Sequence, residues 1–243
     1  MANVIRYTVD AYVSNLRILL LFSLSFVIAI LIPVFAAFPT YNDMGGIFVR
    51  TASEMANLNV LNFSVIVASV FFSLIFLSFA IVAINIITKH ERVHIRIKKE
   101  VFDGLEKYTT RVFVVLLLFT VLISLLDIAF YALNAPAFVY YVAVLLLTPF
   151  FFYAPSSIVI DDFRVRRAMG MSLKFFIKRF DYFLLWVFIA AASLAIFDSL
   201  FTLASPTVVS SFAMLIFNAV LVLPFLVLLQ SQMYLKRFAM LKR

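Results

Sequence analysis

Six long apolar stretches alternate along this chain with short segments crowded with lysine and arginine. A helix needs about 20 apolar residues to cross roughly 30 Å of hydrocarbon, and each stretch is long enough. The pattern predicts spans at about 18–38, 61–88, 111–133, 137–160, 182–204 and 207–234. Asn134-Ala135-Pro136 joins the third to the fourth, and Ser205-Pro206 the fifth to the sixth; links that short make antiparallel hairpins. The expected fold is therefore all-α, a polytopic integral membrane protein with six transmembrane helices in three hairpins. Cytoplasmic loops at 89–110 and 161–181 would carry amphipathic helices.

Composition agrees with this pattern. Of 243 residues, 65% are hydrophobic and only 13% charged, and the mean hydropathy is +1.13. Soluble domains hold about a quarter charged residues, so lipid is the expected solvent here. There is no cysteine, which excludes disulfides, thiolate metal sites and a thiol nucleophile. The net charge of +8 is explained by topology, so nucleic acid is not implied as a partner.

Lys and Arg fix the orientation, because cytoplasmic loops hold them in excess. With six spans, 19 of the 20 cations fall on one side and Arg50 alone on the other. Both termini are then cytoplasmic in an inner (cell) membrane. The first apolar run is full length and no clear small-residue cleavage site follows it, so no cleavable signal peptide is expected.

The two later hairpins resemble each other. Asp127, Phe130 and Pro136 match Asp198, Phe201 and Pro206, and Arg92-Val93 matches Arg164-Val165. Repeat units at 89–160 and 161–234 would each hold an amphipathic segment and two spans, with 1–88 a divergent copy lacking the Asp. Val93, Ile97, Val101, Leu105 and Tyr108 form one apolar stripe at helical spacing; Val165, Met169, Ser172, Phe176 and Phe180 form another. Arg164, Arg166, Arg167, Lys174 and Lys178 flank the second stripe and are the candidates for contact with anionic headgroups. The plainer account is positive-inside charge with ordinary packing beneath the bundle.

Residues 90–94, HERVH, read as the zinc-protease pattern H-E-x-x-H. His90 and His94 would hold the metal and Glu91 would act as base on its water. They are the only two histidines, so a third ligand would have to be a carboxylate such as Asp161 or Asp162. Lys89 and Arg92 place repelling charge against the metal, and Ile97 and Glu100 stand where the extended pattern needs Gly and His. A solvated basic helix accounts for these residues better, and no metal or other cofactor is expected.

Asp127 and Asp198 lie inside apolar stretches, each 16 residues past its span's start. At 1.5 Å per residue that is roughly 24 Å, in the outer half of the membrane. Intramembrane carboxylates often mark ion or proton paths, whereas near the outer interface they merely end a helix. Asn218 and Asn85 are further intramembrane polar groups, suited to interhelical hydrogen bonds. Pro149, Pro155 and Pro224 would kink their helices.

The stretch Ile158-Val159-Ile160-Asp161, followed by Ala168-Met169 and Ser172, resembles the membrane domain found on glycerophosphodiester phosphodiesterases and its stand-alone prokaryotic six-span relatives. In that family a span ends in an acidic residue, and a short segment of the A-L-x-x-S kind follows. The resemblance implies an all-helical bundle. It brings no catalytic residues, because the phosphodiesterase activity resides in a separate soluble domain with no counterpart among these residues.

The leading expectation is a non-catalytic multi-pass protein acting as membrane scaffold, lipid-interacting module or accessory subunit. Its partners would be membrane lipids, anionic headgroups among them, and a second copy or another membrane protein. One alternative is a small transporter or ion-translocating subunit using Asp127 and Asp198, and another is the metalloprotease. Because the chain lacks cysteine, single introduced cysteines test the topology directly. Cysteines at 134–136 should react with an impermeant reagent from outside; one between 89 and 111 that did so would overturn the orientation.

Overall fold

Lipid offers backbone groups no hydrogen-bond partner, so a chain immersed in it closes its polar backbone within helices. The computed structural model describes residues 2–35, 40–43, 46–49, 59–90, 97–204 and 208–239. Six of its helices are long and apolar enough to cross a membrane: Leu16–Phe35, Val60–Lys89, Phe102–Ala132, Ala137–Asp161, Phe180–Leu203 and Phe212–Lys236. The strands among the described residues form a short antiparallel pair, β1 (Thr40–Asp43) with β2 (Gly46–Val49), after the first span. The Ser205-Pro206 link and Arg50 lie outside the described residues.

The hydropathy pattern misses a helix at the N-terminal end. Helix α1 (Ala2–Ser14) precedes the first span, α2 (Leu16–Phe35). Val4, Thr8 and Ala11 recur at helical spacing and are buried, whereas the Arg6–Asp10 pair on the other face is exposed. The polar residues between them keep this segment below the hydropathy of a span.

Helix α3 (Val60–His90) packs along α2 and along α4 (Ile97–Ala132), and these are the most extensive contacts in the bundle. The amphipathic segment before the third span is continuous with it in one 36-residue helix. The segment contains no proline, and Gly104 gives close approach instead of a break: a Cβ there would stand 2.6 Å from Ile86 Cδ1. At the outer end Asn134 turns the chain in the left-handed region, φ 52°, before Pro136 caps the next helix.

The fourth and sixth spans are both interrupted. The fourth divides into α5 (Ala137–Phe151) and α6 (Ala154–Asp161). Pro149 lies within α5 and Pro155 in the first turn of α6, and a proline has no N–H to give the preceding turn. An intact helix would bond Tyr153 N–H to the Pro149 carbonyl. Here Tyr153 N–H donates instead to Ser172 Oγ at 2.9 Å, and that hydroxyl donates to the Pro149 oxygen at 2.7 Å. A side chain from the following helix, α7 (Val165–Lys178), is thus inserted into the ladder. After α8 (Phe180–Ala204) and α9 (Val208–Phe217), the sixth span passes through a π turn (Asn218–Val222) next to Pro224. It continues as α10 (Leu223–Ala239). The Leu221 carbonyl accepts from Tyr12 Oη at 3.2 Å, and Leu226 from Trp186 Nε1 at 2.9 Å.

Burial is concentrated at the end of the bundle where the cations lie. Residues 82–88 of α3, 153–159 around α6 and 231–235 of α10 are buried on every side. Leu133, Leu203 and Val60, at the opposite ends of their spans, are largely exposed. The sixth span is central: 50% of its most apolar window is buried, against 11% for the third and fifth. Lipid is as apolar as leucine, so the helices gain from close packing rather than from leaving their solvent. Ala80, Ala83, Ala154, Ala168 and Ala219, all wholly buried, permit that close approach.

Ser172→Ala should destabilise the fold by roughly 2 kcal/mol, because a buried donor and a buried acceptor lose their partner together. Thermal unfolding in detergent measures this. Ser199→Ala is the control: its exposed hydroxyl closes on the Ala195 carbonyl of its own helix, so the change should stay within about 0.5 kcal/mol.

Candidate functional site

Helix α7 separates its two faces sharply. Ala168, Ser172, Phe175 and Phe176 are buried against the bundle, with Val165 and Met169 half-buried beside them. Phe180, expected in the same stripe, is exposed and opens α8. At 100° per residue the buried set spans one third of the wheel. Arg166, Arg167, Lys174 and Lys178 lie on the opposite arc with Gly170 and Ile177, and all are exposed; Arg164, just before the first turn, is exposed as well. The guanidinium of Arg167 stacks 4.3 Å from the Phe163 ring. Arg179 ends the helix by pairing with Asp181 at 3.2 Å and lies 3.9 Å from the Tyr182 ring. All five headgroup candidates therefore stand together on a face that the bundle leaves uncovered.

A second basic cluster forms where α3, α4 and α6 meet, and pattern reasoning did not assemble it. Lys89 Nζ, Lys107 Nζ and the Arg111 guanidinium lie 5.6, 5.0 and 6.0 Å from the centre of the same Tyr108 ring. Lys89 donates to the Val159 carbonyl at 2.9 Å, in the last turn of α6 where helix carbonyls lack partners. Asp162 follows that turn in the left-handed region, φ 55°, which aspartate tolerates better than most residues. Its carboxylate bridges Lys107 and Arg111, the latter at 2.8 Å. The hydrogen bond from Lys107, aided by Arg111 and opposed by slight burial, holds the Asp162 carboxyl below the ordinary aspartate range. The only sequence signal was the acidic pair at a span end. The short helix after the break in the fourth span carries Asp162 at its end, against Lys107 and Arg111.

Asp161 accepts a hydrogen bond from Tyr234 Oη at 2.6 Å. Both carboxylates considered as a third zinc ligand thus have other partners. His90 is the last residue of α3, while Glu91 and His94 lie outside the described residues. Among the described residues no three metal-ligating side chains come together.

Asp127 and Asp198 occupy the halves of α4 and α8 away from the cations, half-buried, on helices that share no extended interface. Neither makes a hydrogen bond or ion pair among the described residues. Two polar neighbours in sequence do not serve them: Ser199 bonds its own helix, and Tyr131 is exposed. Asn218 is the first residue of the π turn and is buried. Asn85 accepts from Ser231 Oγ at 2.8 Å and donates to the Ile81 carbonyl at 2.8 Å, joining α3 to α10. Gln230 Nε2 donates to the Phe152 carbonyl at the break in the fourth span. Each interruption thus has side-chain partners for its backbone, which ties the helices together there.

The chain matches no family model, and no curated protein and no solved structure matches it. Its class rests on its own architecture. Six apolar helices make it a multi-pass membrane protein.

Asp162→Asn tests the bridge, since asparagine tolerates the left-handed backbone and removes only the charge. With its value lowered on folding, Asp162 stabilises fully above the ordinary aspartate pKa of about 4, and this contribution fades as pH falls through the lowered value. The gap between wild-type and variant unfolding midpoints should narrow as pH falls from about 7 to about 3. The gap at neutral pH should shrink in high salt, because the pair is half exposed.

Proposed function

We propose that this protein is a non-catalytic membrane module that engages anionic lipid headgroups on its cytoplasmic side, in the role of scaffold or accessory subunit. The observation that carries this reading is the outward arc of α7, which presents exposed cations while its other face is fastened to the fourth span through Ser172. A helix held flat beneath a bundle keeps its cations at headgroup level, where each contributes about 1 kcal/mol toward an anionic surface. Ile177, exposed beside Lys174 and Lys178, adds an apolar contact at the same depth. Ala168 and Ser172, which carry the resemblance to the phosphodiesterase membrane domain, are the residues that dock α7. This supports reading α7 as a positioned element rather than a linker. The separation of α4 from α8 favours this function over a shared ion site at Asp127 and Asp198.

Nanodiscs of phosphatidylglycerol should raise the unfolding midpoint above that in phosphatidylcholine, by an amount that falls with ionic strength. The triple change Arg166→Gln, Lys174→Gln and Lys178→Gln should remove most of that increment. Equal midpoints in both lipids would refute the reading, and ion flux into proteoliposomes abolished by Asp127→Asn would replace it with transport.

A further inference from the structure

We propose that the α3–α4–α6 junction is a discrete site for one phospholipid bearing a phosphomonoester headgroup. Lys89, Lys107 and Arg111 would hold the phosphate. The site is separate from the α7 arc, but it deepens the lipid-binding reading and rests on it.

Charge is the first argument. Three cations surround the Tyr108 ring within 6.0 Å of its centre. Asp162 is the one carboxylate paired with them among the described residues, and it contacts only Lys107 and Arg111. Two positive charges remain around one ring, a spacing comparable to the roughly 10 Å over which salt screens. The ring faces relieve part of the repulsion. An anion of nearly two charges would neutralise the rest, and a phosphomonoester carries about −1.5 to −2 at neutral pH.

Donor geometry is the second. An ammonium has three N–H groups and a guanidinium five. Lys89 spends one donor on the Val159 carbonyl, and Arg111 spends one nitrogen on Asp162. Among the described residues Lys89 has two further donors without a partner, and so has the other face of the Arg111 fork. A fork beside two ammonium groups matches the three terminal oxygens of a phosphomonoester better than the two of a carboxylate.

The surface beside the cluster points to a lipid. Lys107, Arg111, Val114, Leu118, Leu122 and Leu125 follow one another on a single face of α4, at steps of three or four residues, each exposed at least in part. Cations occupy the cytoplasmic end of this face and apolar side chains continue it toward the membrane interior. Acyl chains lying along it would bring their own phosphate to the cations, whereas inorganic phosphate gains nothing from Val114 or Leu118. Asp162 and Lys89 belong to different helices, so the headgroup would also tie α3, α4 and the end of α6 together.

Native mass spectrometry of the full chain in detergent tests this with phosphatidic acid, phosphatidylglycerol and phosphatidylcholine, and with inorganic phosphate as competitor. Wild type should retain one phosphatidic acid at a concentration about tenfold or more below that needed for phosphatidylcholine. Lys107→Gln with Arg111→Gln should weaken this preference about tenfold. Lys89→Gln leaves the Asp162 bridge intact and should weaken it as well, which covers the case in which the double variant fails to fold. The α7 triple variant should keep the bound lipid, so loss of one reading leaves the other standing. Undiminished retention by both junction variants would overturn the site, and so would equal retention of phosphatidylcholine. Full displacement by millimolar inorganic phosphate would overturn the lipid as its occupant.

Discussion

The hydroxyl of Ser172 stands where the fourth span would otherwise have a backbone hydrogen bond, and much of the cation-bearing half of the bundle depends on that insertion. In hydrocarbon an unpaired amide or carbonyl costs several kcal/mol, so a break between two prolines needs a substitute partner. One serine supplies it to both Tyr153 and Pro149. The same contact fastens α7 to the span it interrupts, turning its cations outward. The last turn of the span, now a separate helix, ends with its carbonyls toward Lys89 and its following carboxylate toward Lys107 and Arg111. The break, the amphipathic helix and the basic junction are one construction.

That construction explains the gradient of burial along the bundle. At the end where the cations lie, α3, α6 and α10 are enclosed and cross-linked by polar bonds: Asn85 to Ser231, Gln230 to the Phe152 carbonyl, and Tyr234 to Asp161. Aromatic rings fill the adjoining space, with Tyr153 against Phe152, Phe175 and Tyr234. Toward the other face the spans present leucine and phenylalanine outward, which lipid solvates without cost. A closely packed end beneath a loosely joined one suits the proposed contact with headgroups at the cation-bearing end. It suits a path lined by Asp127 and Asp198 less well, because those residues sit where the helices have least to do with one another.

The two basic regions differ in physical kind. Along α7 the cations are separated and solvated, so their attraction to a membrane is additive, screened by salt and indifferent to headgroup structure. At the junction they are crowded around one ring and partly neutralised by a single aspartate held in a left-handed backbone. Crowded like charges favour a ligand of matched charge and shape. On the proposed readings, the first arrangement would orient the protein at a surface and the second would select a molecule from it.

Much of this was legible in the sequence, because lipid imposes a rule that works one helix at a time. Any apolar run of sufficient length must become a helix, whatever its neighbours are. The six spans, the all-α class and the outward cations of α7 follow from that rule and from helical spacing. Pro149, Pro155 and Pro224 announced kinks, and the helical spacing of Val165, Met169, Ser172 and Phe176 marked one face of α7 as apolar. Helix α1 was missed because Val4, Thr8 and Ala11 are too few and too mixed to raise the hydropathy. The partner of each broken backbone group, the convergence of Lys89, Lys107, Arg111 and Asp162, and the distance between the helices of Asp127 and Asp198 were decided by tertiary structure alone. Each is a relation between residues on different helices, fixed by how those helices cross, and crossing is set by side-chain packing across interfaces that no single helix contains.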